Sequence, residues 1–257
     1  MTAGVRPFST RLSAGCVSVW VAVPAVVVGS VLLRGLAAVH RRERSELLET
    51  LNAVGPDAPS LCDDWTARQI AAHIVSSERA AGLPGAVALY PIEWVLPGRL
   101  AHQFRRPVRR LAQHEVERAD KRGWHWLLER LAGGPPRTAR LPWVQPLVFV
   151  DQWIHHEDIR RANGMEPRPA SAEMDDALSR AGAAVARFPY TRHGRESLGY
   201  VTPHGERVRL GRAEPRVWVS GAPGEVLLFN AGRTTVARVV VDGSDADLAA
   251  LLPSLRV

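Results

Sequence analysis

The sequence predicts an α+β fold in two parts: a four-helix bundle, then a small unit of short strands and helices. Three observations lead there. Four segments before Gly164 carry apolar residues at helical spacing and are separated by Gly/Pro-rich breaks. Only one of the connections between them is long, as in a bundle with a single crossover. After Gly205 the apolar residues begin to alternate, the period of a half-buried strand.

Each element has its own signals. Gly35 to Asn52 places Leu36, Val39, Leu47, Leu48 and Leu51 on one face, with charges between them, and stops at GPDAPS. The second helix starts at Thr66, where Thr66 and Gln69 form the pattern of a capping box and Trp65 and Ile70 that of a hydrophobic staple. It runs to about Ala81, before Gly-Leu-Pro-Gly. Prolines at 84, 91 and 97 make residues 84–106 a long crossover with short helical pieces. Val108 to Leu131 returns to helical spacing, and Pro146 to Arg161 is the fourth helix, entered through a first-turn proline and ended by Asn163-Gly164. MEPRPA reads as a linker, and Ser171 as the N-cap of a bridging helix from Ala172 to Arg187. Beyond it, RVRLG, PRVWVSG and TVARVVVDG read as strands, whereas APGEVLLFNAGR and SDADLAALLPSL read as helices. The division expected is 1–34 for an apolar N-terminal extension, 35–165 for the bundle, 166–204 for a linker with the bridging helix, and 205–257 for the α+β unit.

Composition narrows the partners. The 257 residues suffice for a real core, and the formal charge is +7, which invites comparison with nucleic-acid binders. Lysine occurs once, at Lys121, and arginine supplies the other 32 basic residues, a bias matching GC-rich coding. Acidic residues are interspersed throughout, and no basic stripe with interleaved aromatics appears. The dense run Arg99, Arg105, Arg106, Arg109 and Arg110 reads as a solvated face, so no nucleic acid is expected. Cys16 and Cys62 are far apart and in no metal-ligand spacing, which makes a reducing, cytoplasmic compartment the default. From Ala14 to Leu33 no charge occurs. That length could anchor the chain in a bilayer, but Pro24, Gly29 and cationic flanks on both sides count against it. The other reading is translated non-coding sequence ahead of a start near Gly35; no clear cleavage site supports a signal peptide.

The chemistry concentrates in DQWIHHEDIRRANG. Asp151 and His155, spaced i, i+4, point the same way one turn apart and can grip one ion. His73 lies on the inward stripe Ile70, His73, Ile74, Ser77 of the second helix. Opposite Asp151 and His155 it would complete three N/O ligands, the count of a catalytic zinc site with an open position. The plainer readings stand beside this one: His73 as a hydrogen-bonded core residue, and HHED as a solvent-facing run with Glu157 and Asp158 pairing Arg160 and Arg161. His156 points about 100° away from His155, toward solvent or the edge of the site. Asp158, i, i+7 from Asp151, stays on the metal face, where it could orient a ligand or act as a base. Asp63-Asp64 reads as favourable charge at a helix N-terminus, and His193 and His204 lie in loops with no partner spacing.

Three segments in order, GPDAPSLCDDWTARQIAAHIVSSE, DQWIHHEDIRRANG and VWVSGAPGEVLLFNAGR, resemble the mycothiol-dependent maleylpyruvate isomerase-like proteins of the DinB-like superfamily, and within them a metal-binding branch. The resemblance covers Gly35 to the C-terminus. It implies a DinB-like four-helix bundle holding a divalent metal, usually zinc, on a histidine of the second helix and an E/H-x-x-x-H pair of the last. Matched here, those are His73, Asp151 and His155, with aspartate where the pair more often opens on glutamate or histidine. It also implies a low-molecular-weight thiol, mycothiol, brought to the metal, where the cation lowers the thiol pKa. In the isomerase the thiolate adds to a conjugated cis double bond, the bond rotates, and elimination returns the trans product. The second unit would close over the metal, and Arg233, after the helix Glu225 to Asn230, is the candidate to meet a small anionic or electrophilic substrate. Two functions from different classes follow: a metal-dependent isomerase or S-transferase using a thiol, or a non-catalytic metal-binding protein in sensing or interaction. The same ligand types permit a 2-His-1-carboxylate iron site, which nothing else in the chain supports.

Overall fold

In the computed structural model, residues 35–62, 65–81, 114, 117–118, 121–141, 144–169, 171–192, 198–202, 204–209 and 213–255 are described. The apolar stretch 14–33, the crossover 84–106 with its arginine run, most of 108–120, Asp63-Asp64 and His193 lie outside them. Among the described residues seven α-helices and four strands occur, an α+β architecture. None of those helices is long and apolar enough to cross a membrane.

Helices α1 (Leu36–Val54), α2 (Ala67–Ala81), α3 (Trp124–Ala132) and α4 (Gln145–Ala162) form the bundle. α1 packs on α3 and α4, and so does α2, which closes a ring of four. Leu47, Leu51, Ile70, Ile74, Leu127, Leu131 and Ile159 fill the space between them, none more than 1% exposed. Burying each such side chain contributes about 1.5–3 kcal/mol. α2 begins as its sequence requires: the Thr66 backbone N–H donates to Gln69 Oε1 at 2.7 Å, and Trp65 packs against the same core as Ile70. α3 is one piece of the run the periodicity suggested, and the described residues 114, 117–118 and 121–122 ahead of it are helical as well. Gly123, at φ +85°, immediately precedes Trp124 and interrupts the helical run expected from Val108 to Leu131. A left-handed φ at that point breaks the helix.

α4 is the central element. Every residue from Pro146 to Ile159 is buried, because α1 and α2 cover one side while α5 (Ala172–Arg192) covers another. Asn163 and Gly164, at φ +69°, end it, and Met165 N–H returns to Arg160 O at 3.0 Å. Ser171 Oγ accepts the Met174 N–H at 3.4 Å at the start of α5.

The sheet runs β2-β1-β3-β4, from β1 (Leu198–Val201), β2 (Arg207–Arg209), β3 (Val217–Ser220) and β4 (Val240–Asp242). β1 and β3 are parallel, and the outer pairs are antiparallel. β1 lies ahead of Gly205, where no strand was expected. It is short and contains Gly199, which is required because a Cβ there would sit 2.5 Å from the ring of Trp218 on β3. α6 (Pro223–Asn230) and α7 (Asp245–Leu255) cover the sheet through Val226, Phe229, Leu251 and Leu255. α6 also packs on α5, and Leu227 and Leu228 join the core around Trp153 of α4. These contacts bring the end of α6 to the middle of the bundle.

Candidate metal centre

His73, Asp151 and His155 meet in the bundle interior. One donor atom from each lies within 4.8 Å of the others, and all three residues are buried. His73 Nε2 stands 3.7 Å from Asp151 Oδ2, and His155 Nε2 stands 3.6 Å from Asp151 Oδ1. Both separations exceed a hydrogen bond. They are close to the roughly 3.4 Å between ligand atoms on a tetrahedral ion with bonds of about 2.1 Å. The donor set and spacing therefore fit a divalent cation. The ring of His73 is held between Trp65, at 5.4 Å between centroids, and His155, at 4.8 Å, while Ser77 Oγ lies 3.2 Å from His73 Nε2. Burial alone would raise the Asp151 pKa. His73, His155 and Ser77 outweigh it and hold the carboxyl below its ordinary value.

The far side of His155 is fixed by a second cluster. His155 Nδ1 lies 3.0 Å from Asp158 Oδ2, which leaves Nε2 facing Asp151. A carboxylate on one ring nitrogen selects the tautomer whose other nitrogen is a ligand. Asp158 is fully buried and receives both prongs of the Arg233 guanidinium: Nε donates to Oδ1 at 2.9 Å and Nη2 to Oδ2 at 2.6 Å. Cys62 completes the cluster. Its thiol donates to Asp158 Oδ2 at 3.0 Å, lies 3.5 Å from His155 Nδ1 and receives Arg233 Nη2 at 3.1 Å. Desolvation pushes the His155 pKa down. Cys62, Asp158 and Asp151 more than offset this and raise it to about 10, so a cation bound at Nε2 would take the place of a proton. For Asp158, desolvation acts upward and the Arg233 charge downward, and the carboxyl ends well below the usual carboxylate range. Cys62, His155 and Asp158 are also close enough to share an ion. That place already has a cation, because Arg233 binds both Asp158 and Cys62. His73, Asp151 and His155 form the group better suited to a metal.

Sequence reasoning missed several partners. Cys62 lies 93 residues before His155, at no spacing that would link the two. His156 and Glu157 do not face solvent; both are buried. His156 is fully buried, with Nδ1 2.7 Å from Glu43 Oε1 and Nε2 2.8 Å from Thr50 Oγ1. Glu157 accepts from Arg161 at 2.8 Å and from Arg168 at 2.9 Å. Asp158 pairs with Arg233 rather than Arg160 or Arg161. Arg233 is not a surface cation. Besides Asp158 and Cys62 it donates to Ala231 O at 2.6 Å, and it is buried. His204 lies in the exposed turn between β1 and β2.

No family model matches the chain, and the curated proteins contain no match. Two solved structures are similar to it. One is the mycothiol-dependent maleylpyruvate isomerase, 20% identical, with a TM-score of 0.45 over 80% of this chain and 90% of that one. The other is a histidine-to-alanine mutant of the same isomerase, 20% identical, with a TM-score of 0.47 over 82% and 92%.

Proposed function

We propose that this protein binds a divalent metal, zinc by ligand type, through His73, Asp151 and His155, and uses it to activate a low-molecular-weight thiol in an isomerisation or S-transfer reaction. The observation that carries the metal reading is the gathering of those three buried donors within 4.8 Å of one another. The two imidazole nitrogens lie 3.7 and 3.6 Å from the Asp151 carboxylate, beyond a hydrogen bond and near the separation of ligands on one ion. Two imidazoles and one carboxylate leave coordination positions for an exogenous ligand. A cation held there would lower the pKa of a bound thiol, so that thiolate is present near neutral pH.

The chain's own residues have separate tasks in this reading. Asp151 supplies negative charge beside two imidazoles and keeps the site attractive to cations. Asp158 holds His155 Nδ1, so that Nε2 is the free face of the ring. Ser77 and Trp65 restrict the His73 ring from two sides. The thiol and its class, mycothiol, rest on the three sequence segments that resemble the mycothiol-dependent proteins.

The alternative is a metal-binding protein without catalysis. Calorimetry on the full chain separates the two. The zinc-loaded protein is expected to bind mycothiol, and the zinc-free protein and His73→Ala are expected not to. A zinc-loaded protein that takes up neither mycothiol nor any other low-molecular-weight thiol would favour the non-catalytic reading.

A further inference from the structure

We infer that Arg233 is a positioning residue for the metal centre, acting on His155 through Asp158, with Cys62 as the second anchor of its guanidinium. The inference rests on the metal reading above and gives Arg233 a task other than meeting substrate.

The backbone of Arg233 is fixed first. α6 ends in a left-handed turn at Gly232, φ +84°, and Arg233 N–H returns to Leu228 O at 2.9 Å while Gly232 N–H reaches Phe229 O at 3.0 Å. This closure is available to glycine without strain and aims the next side chain back over the helix end. Arg233 O then accepts from Val236 and Ala237 N–H, so its backbone is held on both sides.

The side chain is equally committed. Nε and Nη2 take the two oxygens of Asp158, Nη1 takes Ala231 O, and Nη2 also takes Cys62 Sγ. A two-pronged guanidinium–carboxylate pair fixes the plane of the carboxylate as well as its position. Asp158 Oδ2 is the atom that faces His155 Nδ1, at 3.0 Å. The orientation of His155 is therefore transmitted from the end of α6 through two side chains. Cys62 precedes α2, the helix that carries His73, and Leu61 N–H donates to Asp158 O at 3.2 Å. The cluster thus also ties the approach to α2 to α4.

The test is zinc affinity of the full chain with no thiol or substrate present, measured by competition with a chromophoric chelator, together with the visible spectrum of the cobalt-loaded protein. Arg233→Met and Asp158→Asn are each expected to weaken zinc binding by roughly 10–100-fold and to shift the cobalt bands, the scale found when the partner of a ligating histidine is removed. Because both act through one oxygen, Arg233→Met in the Asp158→Asn background should cost less than about 3-fold more. Arg233→Lys, which keeps the charge and loses the fork, should fall between wild type and Arg233→Met. Should Arg233→Met alone not fold, the comparison of the double variant with Asp158→Asn decides. Equal affinity supports the inference, and a further tenfold loss overturns it. Folded single variants that bind zinc like wild type also overturn it. A wild-type protein that binds no zinc sinks the metal reading itself, a different failure from wild-type binding that the variants leave unchanged.

Discussion

Glu43 offers a sharp test of how the bundle is held together. It is fully buried on α1, accepts from Arg168, and lies 2.7 Å from His156 Nδ1 on α4. Replacing it by leucine keeps bulk and removes the acceptor for both partners. Breaking a buried hydrogen-bonded ion pair costs about 3–5 kcal/mol. The lower end applies here. Arg168 is 16% exposed and keeps Glu157 and Glu46, at 2.9 and 3.2 Å. His156 is fully buried and retains only Thr50 among the partners described above, so the loss falls mainly on it. We therefore expect Glu43→Leu to lose about 3 kcal/mol, roughly a hundredfold in the unfolding constant. Glu43→Gln, which keeps one acceptor, should lose about half of that. Urea unfolding followed by circular dichroism at neutral pH reads both values. Glu173, half-exposed and paired with Arg42 at 2.8 Å, is the control, and its alanine variant should lose less than about 1 kcal/mol. If Glu43→Leu loses no more than that control, the buried network does not hold α1 to α4 as described.

Two further outcomes follow from single positions. His40, packed edge-on against Phe149 and 3.2 Å from Gln152 Oε1, has its pKa lowered to about 4 by burial and by Arg44, against the hydrogen bond to Gln152 and the charge of Glu43. The native state holds it neutral, so its contribution is complete above the unfolded value of 6.5 and is lost as pH falls toward 4. The loss is roughly 3 kcal/mol. Urea midpoints across that range should fall less steeply for His40→Gln than for wild type; parallel curves would refute it. At Gly224 a Cβ would stand 2.6 Å from the ring of Trp153, on which Arg168 also stacks. Gly224→Ala should therefore cost about 1–3 kcal/mol and lower Tm by roughly 3–8 °C, and an unchanged Tm would contradict the packing of α6 on α4.

What was legible in the sequence was local. The Thr66–Gln69 box, the Asn163-Gly164 stop and the i, i+4 pairing of Asp151 with His155 each depend on residues within one or two turns. The inward stripe of α2 likewise placed His73 in the core. What failed was the assumption that a helix has a dry face and a wet one. α4 is buried all round, so His156, Glu157 and Asp158 meet partners on α1, on the segment after α4 and beyond α6 instead of water. No periodicity encodes Glu43 opposite His156 or Cys62 beside His155, because chain topology sets those contacts. β1 was overlooked for a related reason: four residues including a glycine carry little strand signal until Trp218 covers Gly199.

Elemental analysis of the purified chain decides whether His73, Asp151 and His155 hold a metal. One divalent ion per chain is expected in the wild type, reduced at least about tenfold in His73→Ala and in His155→Ala when both remain folded. Wild-type protein that carries no stoichiometric ion and takes up none from added zinc would contradict it, as would histidine variants that keep the ion.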